Sequence, residues 1–198
     1  MLRSDFEHQQ NYFHNLHQHQ PGAAEEKSLP NSHVDGQVQQ RSLKSMRDPK
    51  EISNTIAKCS SLGQLCDLIL DSRDNLIMLK SHPTATALTK LAALANRNPD
   101  PTDVAKLPQA LDLLVRHCTE TDAGASMNDK GISWILKELA TPSLIGPSAK
   151  HELKSSVTKL FSFFIRIIRD NKGGRLAHFI QEHGNEWKLA LKVAGEPE

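Results

Sequence analysis

Apolar residues recur three and four positions apart from Asp48 onward, the spacing of helices buried along one side, and no comparable pattern precedes that point. Asp48-Pro49 followed by Glu51 predicts a helix start: a capping carboxylate, proline at the first helical position and an acid in the first turn. Ile52, Ile56 and Cys59 then share one face, and Leu62, Leu65, Cys66 and Ile69 form the stripe of a second helix. A loop is expected over 71–80, with 76–79 extending the helix or plugging its end. Ser81-His82-Pro83 opens a third helix, whose Leu88, Leu91, Ala92, Leu94 and Ala95 give a broad apolar face with small residues for close approach. Asn96 to Pro101 closes it.

The next helix is predicted over Leu107 to Cys118, with Ala123-Gly124 breaking the chain. Ser126 and Asp129 resemble a capping box for a helix carrying Ile132, Ile135, Leu136 and Leu139, which Pro142 and Gly146-Pro147 stop. Ser148 to Asn171 predicts one long helix with Leu153, Val157, Leu160, Phe161, Phe164, Ile165 and Ile168 inward. Lys172-Gly173-Gly174 turns the chain. Leu176 to Val193 returns as a final helix or a broken pair, with Phe179, Ile180, Trp187, Leu189 and Leu191 available for packing.

Displacing the chain by 45 residues lays 62–95 on 107–140 without a gap, Leu62 falling on Leu107. Gln64/Gln109, Asp67/Asp112, Leu68/Leu113, Ser81/Ser126, Leu91/Leu136, Leu94/Leu139 and Ala95/Ala140 are also identical, where chance gives about two identities. Similar amphipathic helix pairs also imitate a repeat. Physically, one pair cannot cover its own apolar face, and stacking pairs solves that problem. The expected fold is therefore all-α: a short α-solenoid of helix-pair repeats with a divergent C-terminal helical unit. The domain is expected over 48–198, with units of about 52–97 and 98–142 and a cap at 147–193.

Residues 1–47 are rich in His, Gln, Ser and Asn, and a disordered tail is expected there. His14, His17 and His19 offer imidazoles at short spacing, but no adjacent carboxylate or thiolate completes a metal shell. Phe6, Tyr12 and Phe13 are too few to form a core. Across the whole chain 24 Lys and Arg face 23 Asp and Glu, which removes any global field for nucleic acid or membrane, so electrostatic function must be local. Cys59, Cys66 and Cys118 form no paired motif, and their odd number fits a reducing compartment. No run approaches the roughly 18–20 apolar residues of a bilayer span, so a soluble chain without a membrane span is expected. The start lacks a basic segment followed by an apolar one, so no cleaved secretory signal is expected, while an uncleaved export signal stays open.

No residue set meets the requirement of a familiar reaction. His151-Glu152 lacks a second histidine four positions after the first, and Glu182-His183 stands alone. Lys172-Gly173-Gly174-Arg175 is too short to cradle phosphates. His117 and Cys118 are helix neighbours pointing about 100° apart and cannot share a proton. Neither an enzyme activity nor a cofactor is expected. Charge in the last segment is more informative. Lys150, Lys154, Lys159, Arg166, Arg169, Lys172 and Arg175 outnumber Glu152 and Asp170, a basic surface for phosphates or an acidic protein, or else a solvated face. Most aromatics sit at core-like positions. Trp134 does not, which makes it a candidate contact residue.

The stretches Ile56-Ala57-Lys58-Cys59-Ser60-Ser61-Leu62-Gly63-Gln64-Leu65-Cys66-Asp67-Leu68-Ile69 and Thr86-Ala87-Leu88-Thr89-Lys90-Leu91-Ala92-Ala93-Leu94 resemble the two helices of octotricopeptide-type repeats. Gly131-Ile132-Ser133-Trp134-Ile135-Leu136-Lys137-Glu138-Leu139 repeats the second. Similar units occur in organellar RNA-handling and FAST-kinase-like proteins and in SKWP-type type III effectors of plant-associated bacteria. The resemblance covers about residues 52–141; the period is longer than the usual octotricopeptide unit, and only two clear copies are present. It implies a non-enzymatic binding protein: a secreted effector acting on a host protein partner or, alternatively, an RNA-binding post-transcriptional factor for single-stranded RNA. A cytoplasmic location, or export without a cleaved signal, follows from those readings. Exposed apolar ends on so short a stack predict a homodimer.

Overall fold

A computed structural model describes residues 48–72, 79–97, 99–170 and 174–197. The tail, its histidines and aromatics, most of the 71–80 loop and Lys172 lie outside these described residues. Among the residues described the secondary structure is helical throughout. Helix α1 is Pro49–Lys58, capped by Asp48, whose carboxylate accepts from Lys50 N at 2.9 Å, as the sequence predicts. Helix α2 is Leu62–Asp71, capped by Ser61. Helix α3 is Ser81–Ala95, α4 Pro101–Glu120, α5 Asp122–Ala125, α6 Asp129–Leu139, α7 Pro142–Ile145, α8 His151–Arg169 and α9 Arg175–Ala194.

These helices pack in two rows. In one, α1 lies against α3, α3 against α6 and α6 against α9; in the other, α2 lies against α4 and α4 against α8. Contacts between α2 and α3, α3 and α4, α6 and α8, and α8 and α9 join the rows. The predicted apolar stripes are what fill the space between them: Leu65, Leu91, Leu111, Leu114, Ile135, Leu160, Phe161 and Phe164 are all fully buried.

Several local expectations are corrected. Helix α4 starts at Pro101, not Leu107, because Asp100 caps it by accepting from Thr102 N at 2.8 Å and Thr102 Oγ1 at 2.7 Å. Those bonds hold the Asp100 carboxyl below the usual carboxylate range. Pro108 then sits inside the helix. Ala123-Gly124 does not break the chain but forms α5, where a Cβ on Gly124 would lie 2.4 Å from the Cys118 carbonyl oxygen and 2.7 Å from Phe163. Ser126 caps no helix start, since its hydroxyl donates to Asp122 O at 2.6 Å; Asn128 caps α6 by accepting from Gly131 N at 2.8 Å. Pro142 opens the short α7 rather than only ending α6. Helix α9 is broken at His183, with φ −137°, and Ile180 is 44 % exposed rather than packed.

Equivalent positions of the 45-residue offset share their apolar roles but not their polar ones. Asp67 pairs with Lys106 across the α2–α4 contact at 2.7 Å, whereas Asp112 pairs within its own helix with Arg116 at 2.8 Å. Gly63 N donates to Asp103 Oδ2 at 2.9 Å, and its counterpart Pro108 has no N–H to give.

Candidate binding surface on helix α8

The sequence of α8 divides its circumference. Leu153, Val157, Leu160, Phe161, Phe164, Ile165 and Ile168 are buried, so Lys159, Ser162, Arg166 and Arg169 form a stripe on the arc turned to water. Their spacing of three and four residues keeps them on one side of the helix for nearly three turns. An open groove of about 560 Å³ runs along that side, lined by these residues, by Thr119 from the end of α4, and by Phe163, Asp170 and Glu196.

The two arginines of the groove are braced by aromatic rings. The Arg166 guanidinium lies 5.6 Å from the Phe163 ring centroid, and that of Arg169 lies 5.5 Å from the Trp187 centroid. Arg169 Nη1 also donates to Glu196 Oε2. Ser162 and Thr119 line the same groove, the Thr119 hydroxyl donating to Arg116 O at 3.3 Å.

Other predicted site residues lie elsewhere. Arg175 is taken up in the fold: its Nε donates to Asp129 Oδ1 at 2.6 Å and its Nη2 to Met127 O at 2.8 Å, with side chains only 15 % and 20 % exposed in the Arg175–Asp129 pair. It ties the start of α9 to the start of α6 and is not a surface cation. Lys154 donates to Pro147 O at 3.2 Å near the start of α8 and does not line the groove. Trp134 is 40 % exposed on α6, as expected of it, with the Lys130 ammonium 5.2 Å from its ring, but it does not line the groove either. Of the predicted cations, then, Lys159, Arg166 and Arg169 come together. Ser162 was not singled out in the sequence, though its spacing between them is a signal that could have found it. Thr119 and Glu196 reach the groove from other helices and carry no local signal.

The reactive side chains point away from nucleophilic chemistry. Burial pushes the Cys66 and Cys118 thiols up to about 12, with the neighbouring acid charges of Asp67 and Asp103 adding to the effect at Cys66, and burial also raises Cys59. His117 spends its Nε2 on Leu79 O at 2.7 Å. Ser53 Oγ lies 3.0 Å from His82 Nδ1, joining a buried serine of α1 to an exposed histidine of α3. Among the described residues no three His, Cys, Asp or Glu side chains converge as metal ligands, and no helix is long and apolar enough to cross a membrane. Compared with known protein families, curated proteins and solved structures, the chain matches none.

Proposed function

We propose that this chain is a non-enzymatic binding protein built as a short α-solenoid, and that the outer face of α8 docks an acidic segment of a partner protein. The observation that carries this reading is the stripe of Lys159, Arg166 and Arg169 along one open groove. Rows of helices that present one long helix face suit docking of an extended or helical segment. Basic side chains held by ring contacts lose less freedom on binding than free ones. The resemblance to SKWP-type effector repeats extends this reading to a host partner reached by an exported protein, with residues 1–47 as the export signal.

Single-stranded RNA is the competing ligand for such a groove. It ranks second because base recognition draws on exposed stacking platforms, while Phe163 is nearly buried and Trp134 lies off the groove. Fluorescence anisotropy of the full chain with a labelled oligoglutamate peptide, and with a pool of single-stranded RNA, separates the two over a salt series. Saturable peptide binding, weakened about tenfold or more when Lys159→Glu and Arg166→Glu are combined, is the expected result. Tighter RNA binding with a steep salt slope and loss in the same double variant would replace the protein partner with RNA.

A further inference from the structure

Six residues apart, Arg169 and Arg175 each hold a carboxylate, in opposite surroundings. The Arg175–Asp129 pair is largely enclosed and shares its guanidinium with a backbone carbonyl. The Arg169–Glu196 pair has side chains 40 % and 31 % exposed and lies on the groove itself. An exposed pair of this kind contributes little to stability and exchanges partners readily.

How Glu196 reaches the groove is set by the backbone. Helix α9 ends at Gly195 in the left-handed conformation (φ 71°), and the Glu196 N–H then donates to Leu191 O at 3.0 Å. This closure brings the carboxylate to Arg169. The guanidinium is itself oriented from beneath, since it rests 5.5 Å from the centroid of the buried Trp187 ring. Beside this filled seat the groove still offers Lys159 and Arg166.

We infer that Glu196 is a built-in occupant of the groove's anion seat, and that a carboxylate of the incoming acidic segment displaces it from Arg169. The inference rests on the docking reading above and specifies the partner further. A tethered carboxylate competes at high effective concentration, so a lone acidic side chain gains nothing by replacing it. A segment with several acids engages Lys159 and Arg166 at the same time and wins the exchange. The resident glutamate thus selects partners with clustered acidic residues over those with a single one.

Glu196→Gln in the full chain tests this, because glutamine keeps the size and the Gly195 closure but removes the charge. Anisotropy with two labelled peptides, oligoglutamate and one carrying a single Glu among Ser and Gly, should show the single-Glu peptide bound about fivefold more tightly by the variant and oligoglutamate only about twofold, so that the preference for clustered acids narrows. Glu196→Ala should move affinity in the same direction, and thermal melts of both variants alongside the original chain establish that the fold is intact. Oligoglutamate bound by the original chain but no more tightly by either folded variant would overturn the tethered-occupant inference alone. No peptide binding by any of the three chains at low salt would overturn the docking reading, and this inference with it.

Discussion

The helix pair over 62–95 and the pair over 107–140 show what a repeated sequence preserves and what it leaves to context. Leu68 and Leu113, or Leu91 and Leu136, are identical and all buried, because each pair must cover its apolar side in the same manner. Identical polar residues are treated differently. Asp67 reaches a lysine on the next helix of its row, whereas Asp112 turns to an arginine one turn along its own. Ser81 begins α3, while Ser126 follows the last residue of α5. An apolar position is fixed by the layer it faces, but a polar one is fixed by whichever neighbour stands opposite, and the neighbours of the two pairs differ.

Substitution at matched positions sharpens that contrast. The largest effect is expected where the pairs differ in bulk: Leu79 is a buried core residue and its counterpart Gly124 has no room for a side chain. Gly124→Ala would press a methyl group onto the Cys118 carbonyl, costing roughly 2–3 kcal/mol by urea unfolding. The same change should speed the reaction of Cys118 with a thiol reagent, since the joint over it must open. Next come Gly63 and Pro108, where opposite signs are expected. Gly63→Ala dislodges the Asp103 carboxylate from the Gly63 N–H, a loss of about 1–2 kcal/mol. Pro108→Ala restores an N–H inside α4 and should stabilise by roughly 1 kcal/mol, a part of the full helix penalty of proline. The smallest effects are at the two aspartates: Asp67→Asn should lower the melting temperature more than Asp112→Asn, which is expected to stay within about 0.5 kcal/mol.

Much of the fold was legible because burial writes a period into the sequence. The stripes of α2, α3, α6 and α8 were read residue by residue, and Asp48-Pro49 marked a start that capping chemistry dictates. The start of α4 was equally marked by Asp100-Pro101, but its first turns carry little apolar patterning before Leu107. Ser126 and Asn128 are both good caps, and only the Asp122 carbonyl, which takes the Ser126 hydroxyl, decides between them. Ile180 was counted as available for packing on hydrophobicity alone, beside Phe179, yet adjacent residues of a helix face different ways.

The candidate surface was half legible for a related reason. A count of basic residues finds Lys159, Arg166, Arg169 and Arg175 alike, and it cannot tell a cation facing water from one closing a seam. Arg175 closes a seam because Asp129 and the Met127 carbonyl, some 46 and 48 residues earlier, happen to meet it there. Glu196 meets Arg169 across 27 residues of chain, a contact no helical period encodes.

The buried cysteines carry one more consequence. Cys59 follows α1, Cys66 lies in α2 and Cys118 in α4, each shielded and each with its thiol held in the unreactive protonated form. They are thus chemical clocks placed at different stations along the helix rows, and the order in which they tick under mild denaturant reads out which part of the molecule comes apart first.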